Sequence, residues 1–198
     1  LLSRYGKTSF EECSSLNAAV LYSDIRGFTP LSEHHPPEVI VSTLNDYFTL
    51  MERVIKAFGG TIEKFVGDAI IAVFRHHDGL SHPAMRAVNS GLAMKKALEE
   101  FNFKRQNDGK FQIANGVGIH YGTMFLGIIG RTSGRSDLFA FGKAIQVASR
   151  LEGLSKFGRE SGIIFSESVA EHIPEDFERI TISRNGQFAF ELKFPSKK

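Results

Sequence analysis

The stretch Leu21-Tyr22-Ser23-Asp24-Ile25-Arg26-Gly27-Phe28-Thr29 decides how this chain reads. The apolar run from Ala18 to Tyr22 predicts a strand over 17–24, and its nearly continuous apolar character places that strand centrally in a sheet. One carboxylate, Asp24, closes the run, and a Gly-containing turn follows with several backbone N–H groups in succession. A buried strand that delivers an acid into such a turn can hold a hard cation beside a polyphosphate. The acid supplies oxygen to Mg²⁺, and the turn amides donate to phosphate oxygens. A strand-end Asp is also an ordinary solvated turn residue, so the motif gains meaning only from a second acid that matches it.

Working outward, Ser32 or His35 can cap a helix with Pro36 and Pro37 in its first turn. Ile40, Leu44, Tyr47, Phe48, Met51, Val54, Ile55 and Phe58 recur at helical spacing, and Gly59-Gly60 ends the helix. Strands over 61–66 and 69–74 flank the hairpin turn Gly67-Asp68. A second helix covers 83–101 despite its interior Gly91. Strands at 112–121 and 123–129 are expected around Gly122, then a polar loop over 130–136, a strand at 137–141 and a helix at 143–154. A strand at 162–166, a short helix at 168–173 and a hairpin of 177–183 with 188–194 about Asn185-Gly186 complete the chain. The order strand, helix, strand, strand, helix, strand predicts an α+β fold. Its core is ferredoxin-like, βαββαβ, with helices on one face and extra C-terminal strands. Residues 1–16 read as a lead-in segment and 17–198 as one domain.

In such a sheet the first strand lies beside the central hairpin. If the two run antiparallel, Asp24 and Asp68 meet at the same sheet edge. Two carboxylates held close repel unless a cation neutralises them. Two divalent ions about 4 Å apart, shared by such acids, are a common arrangement for in-line displacement at phosphorus. Asp68 taken alone is a common turn former.

The bulk numbers exclude other classes. Hydrophobic content of 42% and charged content of 23% describe a folded domain rather than a disordered chain. A net charge of +2 argues against nucleic acid or a membrane surface as the main partner. No apolar run reaches the length of a membrane span, and no secretory signal opens the chain. The single Cys13 cannot form an internal disulfide, which favours a reducing, cytoplasmic setting. The chain begins at Leu1 without Met, so a domain of a longer protein is expected, with membrane anchoring of that protein left open. His76, His77, Asp78 and His82 have ligand-like spacing but read as a polar loop. The run Gly127-Ile128-Ile129-Gly130 lacks the Lys-Ser/Thr pair of a P-loop.

Four segments resemble the class III nucleotidyl cyclase catalytic domain, in its order and spacing. They are Asp24 to Thr29, Phe65-Val66-Gly67-Asp68-Ala69, Gly116 to Gly122, and Val147-Ala148-Ser149-Arg150-Leu151-Glu152. The resemblance implies the nucleotide cyclase fold and conversion of a nucleoside triphosphate to its 3′,5′-cyclic monophosphate plus pyrophosphate. It implies that Asp24 and Asp68, with the Ile25 carbonyl, bind two Mg²⁺ or Mn²⁺ ions per site. It further implies that amides of Ile25, Arg26, Gly27, Phe28 and Thr29 contact phosphate. Arg150 matches the arginine that stabilises charge on the α-phosphoryl group, a task suited to a planar, permanently charged guanidinium. Lys64 falls where related adenylyl cyclases carry a base-reading lysine; it can donate to adenine N1, which favours ATP over GTP.

The chain departs from the family pattern near Arg150. Phe139 replaces the Asp or Thr that contacts adenine, which removes a hydrogen-bond acceptor and leaves stacking. Gln146 replaces the ribose-orienting Asn with one extra methylene, and a displacement of about 1 Å can cost on the order of a hundredfold in rate. Lys143 replaces an Asp or Asn. Arg184 is the nearest candidate for the family's late phosphate-binding lysine. In the family the site lies between two domains arranged head to tail, with the acids on one and the Arg150 region on the other. This chain carries both sets, so a homodimer is expected, with a heterodimer or a low-turnover nucleotide-binding module as alternatives. The loop from Arg131 to Arg135 resembles the family's dimer arm. A linked regulatory domain is the other expected partner.

Overall fold

The strand β1, Cys13–Ile25, is the centre of the architecture, with Ala18, Ala19, Val20 and Leu21 fully buried. The computed structural model describes residues 13–130, 136–184 and 186–194; the dimer-arm loop and Asn185 lie outside them. After β1 come α1 (Phe28–His34), α2 (Pro37–Ala57), β2 (Thr61–Val66), β3 (Ala69–Arg75), α3 (Pro83–Asn107) and β4 (Asn115–Gly130). Then follow β5 (Ser136–Phe141), α4 (Lys143–Leu154), β6 (Ile163–Phe165), α5 (Glu167–Ala170), β7 (Arg179–Arg184) and β8 (Gln187–Leu192). The sheet has eight strands in the order β2-β3-β1-β4-β6-β8-β7, with β5 pairing β4. Its β2-β3-β1-β4 half, with α2 and α3, is the expected βαββαβ core.

α2 forms because Pro36 and Pro37 set its first turn and Ile40, Tyr47, Met51 and Ile55 repeat on one buried face. It stops at Gly59, whose φ of 70° is the left-handed region. Gly60 N–H then donates to Ile55 O (3.0 Å) and Gly59 N–H to Lys56 O (2.9 Å), so the last carbonyls find donors. α3 continues well past the expected 101. Arg105 in its last turn is held by Phe111 O (2.7 Å) and, from far away in sequence, by Thr43 Oγ1 (3.1 Å).

Three expectations change. First, β4 is one strand rather than two. Its pairing with β1 runs unbroken from Cys13↔Gly127 to Ile25↔Asn115, so Gly122 lies within the ladder and makes no turn. Second, the segment after Gly27 winds into the short helix α1 before α2 begins. Third, the core helices α2 and α3 share one face as expected, but a further helix, α4, does not. α2 and α3 pack Tyr47, Met51, Val88 and Met94 against Leu21, Ile70 and Ile119. α4 covers the opposite face, placing Ala144 and Ala148 against Ala18, Val20, Ile71 and Val73.

That third arrangement explains two glycines. A Cβ on Gly118 would sit 2.1 Å from Ala148 O and 2.2 Å from Glu152 N, both backbone atoms of α4. A Cβ on Gly116 would sit 2.1 Å from both Glu152 Oε1 and Ser155 Oγ. α4 therefore rests on bare β4 backbone, a close approach that any side chain would prevent.

Candidate active site

β1 alternates between the two faces. Leu21 and Ile25 turn toward α2 and α3, whereas Val20 and Tyr22 turn toward α4. Asp24 follows the second series. Pairing of Ser23 with Ile70 puts Asp24 beside Ala69, the residue after Asp68. Val66 pairs with Ala69, so Gly67-Asp68 is the two-residue turn, and Gly67 adopts a φ of 62°. The two acids thus come to one sheet edge, near enough for the charge of Asp68 to act on Asp24.

The electrostatics follow from this meeting. Burial raises the Asp24 carboxyl to about 7, with the Asp68 charge, the bond to Asp68 and the Glu152 charge adding to the rise. The main charges bearing on Asp24 are therefore negative. Tyr22 is also raised, chiefly by burial, while its hydrogen bond to Ser149 opposes the rise. Among the described residues no group of three or more His, Cys, Asp or Glu side chains could hold a metal ion. Two carboxylates and a nearby carbonyl form an all-oxygen donor set. Such a set fits a hard divalent cation that takes its other ligands from phosphate and water.

The turn after Ile25 differs from the expectation in one respect. Arg26 N–H donates to Ala114 O (2.8 Å), so it belongs to the scaffold and is not a phosphate donor. Gly27, at φ 63°, turns the chain into α1, whose first turn begins at Phe28 and Thr29. The Arg26 side chain reaches α4 instead, donating from Nη2 to Ser155 Oγ (3.0 Å).

The other expected residues lie elsewhere. Lys64 pairs with Ile71, a residue packed on the α4 side, so Lys64 shares the face of Asp24 two strands away. Phe139 pairs with Gly127 in β5; its side chain lies outside the described residues. Gln146 and Arg150 are exposed, one helical turn apart on α4. The Arg150 charge bears on His120, which pairs with Val20, whereas Asp24 pairs with Gly116. Four residues of strand separate those positions, about 13 Å. Arg184 stacks its guanidinium 3.5 Å over the Phe157 ring at the sheet's far edge. Four strand spacings, about 19 Å, separate its strand from β1. One chain therefore joins the two acids but does not bring Arg150 or Arg184 to them.

Residues missed in the sequence fill the space beneath the acids. Lys95, largely buried on α3, donates to Asn115 O, and burial lowers it to about 8. Asn115 Nδ2 donates to Ser23 Oγ (3.2 Å) and Tyr47 OH (3.0 Å). Ser155 donates to Glu152 Oε1 (3.2 Å). The visible signal was a Glu two positions after Arg150 and two β4 glycines of alternate spacing. The expected His loop also changes: His76 and His82 gather with Tyr121 and His172, and His76 Nε2 lies 2.8 Å from Tyr121 OH.

Comparison with known proteins gives concordant results. The family model described as "Adenylate and Guanylate cyclase catalytic domain" matches residues 11–193. An adenylate cyclase from Anabaena cylindrica is 39% identical over 179 residues, covering 87% of this chain and 34% of its own length. Adenylate cyclase 1 from Rhizobium meliloti is 36% identical over 136 residues, 69% of this chain and 20% of its own. The chain thus spans about a third of the first relative and a fifth of the second. The solved adenylyl cyclase CyaB from P. aeruginosa superposes with a TM-score of 0.80 at 27% identity, covering 94% of this chain and 98% of that one. The guanylyl cyclase Cya2 superposes with a TM-score of 0.77 at 29% identity, covering 92% and 93%.

Proposed function

Since this chain belongs to the adenylate and guanylate cyclase catalytic domain family, we propose that it converts ATP to 3′,5′-cyclic AMP and pyrophosphate at sites shared by two copies of itself. The observation that carries the reading is the meeting of the Asp24 and Asp68 carboxyls at one sheet edge. When bound, two Mg²⁺ or Mn²⁺ ions supply Lewis acidity at the ribose 3′-hydroxyl and neutralise the triphosphate. Asp24, Asp68 and the Ile25 carbonyl hold them. The amides of Gly27, Phe28 and Thr29 donate to phosphate oxygens. The 3′-oxygen loses its proton and bonds to the α-phosphorus, while the bond from that phosphorus to the bridging oxygen breaks and pyrophosphate leaves.

Arg150 from the second copy stabilises the charge that grows on the α-phosphoryl oxygens, and Gln146 beside it orients the ribose. The separation of Arg150 from Asp24 along one chain supports this division between copies. Lys64 donates to adenine N1, Phe139 stacks on the base, and Arg184 serves the phosphates from the second copy. Two relatives described as adenylate cyclases support ATP as substrate. A second reading is relaxed choice between ATP and GTP with low turnover; Phe139, Gln146 and the similarity to Cya2 favour it. The large uncovered share of the relatives supports a regulatory domain joined to this one. Among the described residues no helix is long and apolar enough to cross a membrane, and we assign this domain to the cytoplasm, where ATP is supplied. The test is cyclic AMP output from purified protein with ATP and Mn²⁺, beside Asp24→Ala and with GTP as competitor. Absence of product at high protein concentration overturns the enzyme reading.

A further inference from the structure

Arg26 stands between the ligand residues Asp24 and Ile25 and the amides that follow, and it is anchored twice. Its backbone N–H donates to Ala114 O (2.8 Å), and its guanidinium donates to Ser155 Oγ (3.0 Å). Ser155 is buried and donates in turn to Glu152 Oε1 (3.2 Å). The notch that admits both Glu152 and Ser155 exists because position 116 has no Cβ, which would meet each of them at 2.1 Å. Glu152 is half-buried, and the cations facing it are Arg26, Lys95 and Lys156. Lys95 is fixed on the other side by Asn115 O, and Asn115 is the pairing partner of Ile25. The chain Glu152–Ser155–Arg26 thus ties α4 to the last residues of β1.

We propose that Glu152, acting through Ser155 and Arg26, is a positioning residue for the end of β1 that carries Asp24 and Ile25. This rests on the reading of Asp24 and Asp68 as cation ligands. Glu152 Oε1 accepts from Ser155 Oγ (3.2 Å), and it acts on the ligand residues through that bond. It orients those residues, as outer partners do in metal sites generally. A displacement at Arg26 moves the carbonyl of Ile25 on one side and the amides of Gly27 and Phe28 on the other, so one tie governs both halves of the cation–phosphate cradle.

Charge and position can be told apart, because the tie contains both signs and a neutral link. Mn²⁺ binding in the presence of a non-cyclising ATP analogue is measured by electron paramagnetic resonance. The wild type is compared with Glu152→Gln, Arg26→Gln and Ser155→Ala, with a melting curve for each. Positioning predicts that all three weaken Mn²⁺ binding in the same direction, roughly tenfold each. The double variant Glu152→Gln/Ser155→Ala is expected to be no weaker than the worse single one. A pure charge effect predicts instead that Arg26→Gln tightens binding and Ser155→Ala leaves it at the wild-type value; either result overturns the proposal. Ser155→Ala removes one oxygen and no charge, and it keeps the test valid if a charged variant fails to fold. Wild-type protein that binds no Mn²⁺ would instead strike the two-acid site and remove the premise.

Discussion

The two halves of the site are built differently. The acid half is finished within one chain: β1 and the β2–β3 turn are held by sheet ladders, and Asp24 and Asp68 meet at their ends. The α4 half is seated firmly, on Gly116 and Gly118, but turns Gln146 and Arg150 outward to solvent. One departure from the family pattern, Gln146, belongs to that exposed half. An exposed group tolerates change because neither packing nor pairing within the chain constrains it. A half-buried acid pair tolerates less, because losing one member alters the charge of the other. On the proposed reading, the contrast makes metal affinity a property of one protomer and turnover a property of two.

The largest expected effect is at the acids. Asp24→Asn should lower cyclic AMP production by about a thousandfold or more, measured at saturating Mn²⁺, since several kcal/mol of charge stabilisation depend on the ions proposed for it. Arg150→Ala should cost roughly a hundredfold in kcat with KM for ATP little changed, because its contact strengthens as charge builds. Mixing Arg150→Ala with Asp24→Asn should restore about a quarter of wild-type activity. Half of the dimers are then mixed, and each mixed dimer has one intact site. No recovery on mixing would break the comparison, since it would put both halves of a site in one chain.

Smaller effects sharpen it. Gln146→Asn should raise kcat by up to about tenfold if the extra methylene holds the ribose out of line. Gly118→Ala should lower stability by about 2 kcal/mol in a melting experiment, because the new methyl meets the backbone of α4, which has to move. The last test is pH. The folded Asp24 carboxyl lies at about 7, above its unfolded value near 3.9. The folded state therefore holds the proton more tightly. This group's contribution is complete below the unfolded value and is lost as pH rises toward 7. Metal-free wild type should lose stability across that interval relative to Asp24→Asn, and added Mn²⁺ should restore it at neutral pH.

Much of the fold was legible locally. The 143–154 helix and the 61–66 strand are read to the residue, because amphipathic period and turn glycines act over a few positions. Gly122 misled for the same reason: a glycine inside a long strand carries the local signature of a turn, and only the partner strand shows that the ladder continues. α1 was hidden because seven residues with no buried side chain have too little apolar period to register. Arg26 was read as a phosphate-facing amide, since a sequence shows that an N–H exists and not which carbonyl takes it.

The chain's order of residues alone determined that an acid closes a central strand, that a second acid sits in a hairpin turn, and that an arginine lies on an amphipathic helix. These are matters of spacing, and spacing is local. Tertiary structure alone decided that the acids meet, that α4 crosses to the other face of the sheet, and that Arg26 joins Ser155 and Glu152 across a separation of 129 residues. Contacts between distant segments depend on strand register and on where a missing Cβ lets two backbones meet, and neither is a property of any short stretch.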